Sequence, residues 1–284
     1  GGRGRNPAPS PVKTHALVLG LPLLQPPSLR PEKAQEPLAD LSPDVIVVAA
    51  YGKILPPGVL ALPPSGCLNL HPSLLPRYRG PAPVVTAILE GDATTGVTLM
   101  LLEEGMDTGP LIGRREAGLT GNETAEELTT DLFRLGAELL LDNLDPWVNG
   151  KLPAQPQNEA ESTVTRKVER EDGRADWRVS AAQLERRRRA YTPWPGLYPR
   201  WEGKVLKLLN VADLPASVLP QAARDRPPGT VVPLSGPNQD EETPFGVITG
   251  EGILGLRTLQ LEGRKAVPAA EFLRGYPAIM DACL

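Results

Sequence analysis

The chain has 284 residues, of which 40% are hydrophobic and 23% charged, with a formal net charge of −4. That length and balance fit two compact domains and exclude a disordered chain. No apolar run reaches the roughly 18 residues of a membrane-crossing helix. No secretory signal is visible, and Cys67 and Cys283 have neither disulfide-framework nor metal-ligand spacing.

Aromatic residues make up only 4%, so the core must come from Leu, Val, Ile and Ala. Charge is uneven. Residues 1–162 carry twelve Lys and Arg against nineteen Asp and Glu, whereas residues 163–284 carry eighteen against fifteen. This is either chance or a C-terminal module compatible with a polyanion. A reducing, cytoplasmic setting without membrane attachment is expected.

The first residues, Gly1-Gly2-Arg3-Gly4-Arg5, form a basic, Gly-rich loop where an α/β domain ordinarily opens on a buried strand. His15 follows in an amphipathic stretch and reads as a surface or packing residue. Val45–Ala50 is a continuous apolar run, the mark of a strand buried on both faces of a parallel sheet. Tyr51-Gly52-Lys53 breaks it. Cys67–His71 alternates apolar with polar residues, and Pro72 ends it. Ala82–Glu90 predicts a short helix, Val97–Leu102 a third strand, and Glu103–Gly109 a loop. Thr124 with Glu127 forms a capping box ahead of Leu128, Leu132, Leu135 and Leu139 at helical spacing. This order argues for an α/β layer domain over residues 1–150.

Residues 151–162 are polar and proline-bearing and read as a linker. Beyond them, over 163–284, the pattern changes. Ser180 and Gln183 cap a short helix reaching Ala190. Short apolar runs follow at Val205–Val211, Thr230–Leu234, Phe245–Thr249 and Ile253–Leu261, the last two flanking the hairpin signal Gly250-Glu251-Gly252. Short strands at this spacing predict a smaller, OB-like β-barrel domain.

Asn69 and His71 are two residues apart on a predicted strand, so they share one face while Leu68 and Leu70 take the other. Pro72 places them at the strand's C-terminal end, where ligands of open α/β sheets bind. An amide donor beside an imidazole is an oxyanion-binding and proton-handling pair; the plain alternative is two satisfied polar residues at a strand end. Asp107, after the next strand, reaches the same edge if the two strands are neighbours, and is otherwise an ordinary turn residue. In Ser73–Gly80, Leu74 and Leu75 are candidates for a pocket wall, with Arg77 and Arg79 near it or simply solvated. Arg186–Arg189 covers every side of its helix, so at least one is expected to face inward along its aliphatic stem; the rest read as a solvated face or a weak polyanion contact.

The motifs Leu68–Gly80 (LNLHPSLLPRYRG) and Gly105–Gly109 (GMDTG) resemble the folate-dependent formyltransferases. Ala50–Leu55, Ser180–Leu184, Tyr191–Gly196 and the loop Gly1–Lys13 extend the resemblance over most of the chain, toward the branch acting on methionyl-tRNA. It implies a Rossmann-like domain with a mainly parallel sheet, preceded in the family by a further βαβ unit of roughly thirty to forty residues. It implies Asn69, His71 and Asp107 as the catalytic triad and 10-formyltetrahydrofolate as the donor, without a metal. Lys53, Ile54, Leu55, Ser73, Leu74, Leu75 and Pro76 fall at the family's folate site. Arg3 and Arg5 fall at its contact with methionyl initiator tRNA. The enzyme implied is a monomer of the bacterial cytoplasm or an organellar matrix. The same catalytic domain serves formyltransferases for glycinamide ribonucleotide and amino sugars, and formyltetrahydrofolate hydrolase. A non-catalytic RNA-binding module is the other class of reading.

Overall fold

The computed structural model describes residues 9–219, 223, 225–234 and 242–284. Arg3 and Arg5 lie outside the described residues. Of the loop Gly1–Lys13, the described end is already helical: Ser10 caps α1 (Pro11–Val18), its hydroxyl accepting the Lys13 N–H at 3.2 Å. His15 is exposed on this helix.

After α2 (Glu36–Ala39) come β1 (Ile46–Ala49), α3 (Pro57–Leu60), β2 (Cys67–His71) and α4 (Pro83–Glu90). Then β3 (Thr94–Leu101), β4 (Leu111–Gly118) and the long α5 (Ala125–Val148) complete the unit. The strands lie in the order β1-β2-β3-β4. The expected mainly parallel sheet is mixed instead. Only β1 and β2 run parallel, while β2–β3 and β3–β4 are antiparallel. The cause is the path of the chain. α4 packs on α5 and the later helix at 181–190 rather than crossing the sheet, so the chain re-enters at the edge it left, with His71 opposite Thr98. The short loop 102–110 then allows only an antiparallel return.

β1 also departs from expectation. It is not buried on both faces: its residues alternate half-buried and exposed, Val47 among the exposed. Among the described residues β1 pairs only with β2, which leaves it at the sheet's edge. Leu68 and Leu70 pack with Val97, Leu99 and Leu139 in the core under α5, so Asn69 and His71 face the other way.

The C-terminal unit contains α6 (Ala181–Ala190), whose capping box is formed by Ser180 and Gln183. Its strands are β5 (Arg200–Trp201), β6 (Lys204–Leu214), β7 (Val231–Pro233), β8 (Phe245–Ile248), β9 (Ile253–Leu261) and β10 (Val267–Pro268), followed by α7 (Ala269–Gly275). Among the described residues these strands form an antiparallel sheet in the order β5-β6-β9-β8-β7, with β10 on β9. The hairpin at 250–252 is present, Ile248 pairing with Ile253. One core, including Leu184, Leu206, Phe245, Leu256 and Phe272, joins the sheet to α6 and α7.

The expected linker 151–162 is not a free connection. Gln155 forms a bridge with Leu111, and residues 157–165 bond to the loops at the end of β2 and β3. Two of its polar side chains, Gln157 and Glu159, hydrogen-bond to Arg79 of the first unit, while Asn158 and Ser162 bond within the segment. No helix among the described residues is long and apolar enough to cross a membrane.

Candidate active site

β2 ends at Pro72, and the chain enters a loop fixed by buried polar contacts. Thr98, fully buried on β3 beside His71, donates its hydroxyl to the Ser73 carbonyl at 2.6 Å and accepts the Leu75 N–H at 3.1 Å. Ser73 Oγ donates to Arg77 O at 2.7 Å, and Arg114 of β4 reaches Leu75 O at 3.1 Å. The Leu75–Pro76 peptide is cis. Ser73, Leu75 and Pro76 are buried, so their side chains face the protein; Leu74 is half-buried and lies against Gly96 of β3.

This loop returns Tyr78 and Gly80 to His71 and Asp107. His71 is 4% exposed, and its Nε2 lies 2.9 Å from the Tyr78 carbonyl. A carbonyl only accepts, so Nε2 carries a proton. The other nitrogen, Nδ1, faces Asp107 Oδ2 at 3.6 Å. That carboxylate oxygen also accepts the Gly80 N–H at 2.8 Å. Asp107 has φ +54°, the left-handed region, which turns its side chain back toward the sheet edge. β3 is indeed the neighbour of β2, so the three residues named from the sequence meet at one edge. Asn69 is half-buried, and its amide makes no hydrogen bond within the described residues. The site therefore offers an unengaged amide donor beside an imidazole–carboxylate pair.

Tyr78 is held from both ends. Burial, reinforced by its hydrogen bond to Asp92 at 2.8 Å, raises its hydroxyl to about 12. Arg77, which lies over the ring, donates to the same hydroxyl at 2.6 Å. Arg79 is 4% exposed and bonds to Gln157 and Glu159; its hydrogen bonds lower the Glu159 carboxyl from its ordinary value.

At the end of β1, alongside His71 by the parallel register, Tyr51, Gly52, Lys53 and Ile54 join Ser28, Leu29 and Arg30 around a cavity of about 410 Å³. Lys53 Nζ donates to Pro27 O at 2.6 Å, and Ile54 is 82% exposed. Leu55 is buried beneath, against Val59 and Cys67. The cavity's size suits a small heterocycle. A second cavity, of about 250 Å³, lies between α4, the turn at 119–123 and α6, with Arg186 and Arg189 in its wall. The arginines of α6 are not a solvated face: Arg188 and Arg189 pair with Glu185, and Arg189 is buried. Among the described residues no group of three His, Cys, Asp or Glu side chains could hold a metal ion.

Sequence reasoning missed Thr98, the Tyr78 carbonyl, the Gly80 N–H and Gln157. Tyr78 and Gly80 lie inside the quoted motif but act through backbone groups, which no side-chain pattern marks; Thr98 and Gln157 act through contacts distant in the chain.

Comparison with known proteins places both units of the chain in one family. Residues 1–144 match the family described as formyl transferase, and residues 167–277 match the formyl transferase C-terminal domain. A protein of Roseiflexus castenholzii named methionyl-tRNA formyltransferase is 47% identical over 274 residues, spanning 96% of this chain and 84% of its own. In solved structures, WlaRD, a sugar 3N-formyl transferase, superposes with a TM-score of 0.61 at 16% identity over 89% of this chain and 82% of its own. HypX from Aquifex aeolicus, determined with tetrahydrofolic acid, gives 0.61 at 22% identity over 81% of this chain and 38% of its own.

Proposed function

The chain belongs to the formyl transferase family, and from that premise we propose that it transfers the formyl group of 10-formyltetrahydrofolate to the α-amine of methionyl initiator tRNA. The observation that carries this reading is the meeting of Asn69, His71 and Asp107 at one sheet edge, with the loop after the neighbouring β1 lining a cavity. The relatives named methionyl-tRNA formyltransferase support the acceptor. So does the match to the formyl transferase C-terminal domain, which we read as an OB-like barrel contacting the tRNA, with Arg3 and Arg5 as further phosphate contacts.

In this reading the amine nitrogen attacks the formyl carbon, and the carbonyl oxygen becomes an oxyanion. Asn69 donates its free amide N–H to that oxygen as charge develops. The proton leaving the amine passes to the Asp107–His71 pair. Collapse of the tetrahedral species breaks the bond to the folate nitrogen, which takes a proton and leaves as tetrahydrofolate. His71 supplies that proton or, on releasing the Tyr78 carbonyl, a second hydrogen bond to the oxyanion. Lys53 and Ile54, with the half-buried Leu74, line the donor side; Ser73, Leu75, Pro76 and Leu55 support it from beneath.

The test uses donor labelled in its formyl group, with methionyl initiator tRNA, glycinamide ribonucleotide, an amino sugar nucleotide and water as competing acceptors. Label should appear on the tRNA and be lost with His71→Ala. An oxyanion donor contributes about 3–4 kcal/mol, so Asn69→Ala should lower kcat on the order of a hundredfold. A loss below about fivefold removes Asn69 from the role. Label on another acceptor keeps the chemistry and replaces the substrate.

A further inference from the structure

Residues 155–165 lie between the two family matches, which end at 144 and resume at 167. In the fold they run as a strap across both loops that hold the catalytic side chains. Gln157 is the central contact. Its amide nitrogen donates to the carbonyl of Asp107 at 2.8 Å and to that of Gly109 at 2.7 Å. Its amide oxygen accepts from Arg79 Nε at 3.0 Å and Nη2 at 2.8 Å. Both faces of one carboxamide are thus spent joining the two catalytic loops.

The Arg79 side of this junction is fixed independently. Glu159 takes Nη1 and Nη2 at 2.9 and 2.7 Å. The Arg79 N–H donates to Thr163 O at 2.8 Å, and the Thr165 N–H donates to Arg79 O at 2.7 Å. Thr163 Oγ1 accepts the Tyr78 N–H at 2.8 Å. Arg79 is flanked by Tyr78, whose carbonyl holds His71 Nε2, and by Gly80, whose N–H holds Asp107 Oδ2. On the Asp107 side, the residue sits at φ +54°, a left-handed conformation that aspartate adopts more readily than most side chains; its carboxylate is held by the Gly80 N–H and its carbonyl by Gln157.

We propose that Gln157 is a positioning residue, which fixes the Asp107 carboxylate against His71 by tying the Asp107 backbone to Arg79. This inference deepens the formyl-transfer reading and rests on it for its kinetic consequence.

The experiment compares wild type with Gln157→Ala and Gln157→Glu. The Glu variant keeps an acceptor for Arg79 but cannot donate to two carbonyls, so it tests the contact without emptying the site. Formyl transfer to methionyl initiator tRNA should lose about tenfold or more in kcat, with KM for donor and acceptor within about twofold. Asp107→Asn combined with Gln157→Ala should be no slower than Asp107→Asn alone, since both remove the same placement; a merely structural defect would multiply. Independently of substrate, the chain has two histidines, so the His71 ring 15N signals are assignable with a His15→Gln reference. In both Gln157 variants they should move toward those of Asp107→Asn. Variants with kcat within about twofold of wild type and unmoved His71 signals overturn the proposal. If wild type itself transfers no formyl group to the tRNA, the acceptor reading fails, and the 15N comparison decides the role of Gln157 by itself.

Discussion

Two loops leave the same edge of the sheet side by side, and they are built in opposite ways. The loop after β2, residues 72–80, is buried at Ser73, Leu75, Pro76, Tyr78 and Arg79. Thr98, Arg114, Asp92, Gln157 and Thr163 reach in to hold it. The loop after β1, residues 50–54, is exposed throughout, with one side-chain tether from Lys53 to Pro27. The difference separates two tasks. Groups that stabilise a transient charge must be in place before it forms, because reorganising them during the reaction forfeits their effect. A loop that admits and releases a co-substrate gains from low local stability. In the proposed reaction, catalytic geometry is stored in the buried loop and donor access in the open one.

Thr98 gives the sharpest way to break this contrast. Thr98→Val keeps the shape and removes the hydroxyl, leaving the Ser73 carbonyl and the Leu75 N–H buried without partners. Each such group costs about 1–3 kcal/mol, so urea denaturation should show a loss of about 3 kcal/mol. Formyl transfer should fall with it, since the loop that carries the Tyr78 carbonyl loses two of its anchors. A loss under about 1 kcal/mol would mean that the loop does not depend on the hydroxyl.

A smaller effect is expected at Tyr78. Burial and the bond to Asp92 raise its pKa from 10 to about 12. The folded state thus favours the neutral phenol. That contribution is fully present below pH 10 and is lost as pH rises toward 12. Tyr78→Phe should cost about 1 kcal/mol at pH 8 for the lost hydrogen bond. The advantage of wild type over this variant should shrink between pH 10 and 12, measured by urea denaturation at several pH values. A difference that stays constant with pH would show that the phenol is not held neutral by the fold.

What could be read from the sequence follows the same division between local and distant causes. The alternation of Cys67–His71, the capping boxes at Thr124 and Ser180, and the hairpin at 250–252 are set by spacing within a few residues, and all are present. Asn69, His71 and Asp107, the proposed triad, were nameable because motif and strand period point to the same residues. β4 was not legible. Its Gly113-Arg114-Arg115-Glu116 has no apolar alternation, and it is a strand because β3 and α5 flank it. The direction of β3 depends on where α4 packs, which no local pattern states. Gln157 lies about fifty residues from the carbonyls it holds and sits in a segment whose polarity is that of a solvated linker. Polarity alone does not distinguish a side chain turned to water from one turned to a backbone.

Ile54 tests the open side of the comparison and should show the smallest change in stability. It is 82% exposed in the protein alone, so Ile54→Ser should leave the unfolding free energy within about 0.5 kcal/mol. A large apolar side chain displayed at a cavity mouth has little to gain from water and much to gain from a ligand surface. Fully burying an isoleucine is worth about 1.5–3 kcal/mol, so partial coverage by the donor predicts a rise of about tenfold in its KM. The KM for methionyl initiator tRNA and the kcat at saturating donor should stay near wild type, because the β2 loop is untouched. Initial rates over a range of donor concentrations read this directly. An unchanged donor KM would move the folate away from the β1 loop, and a drop in kcat would mean that the two loops are coupled after all.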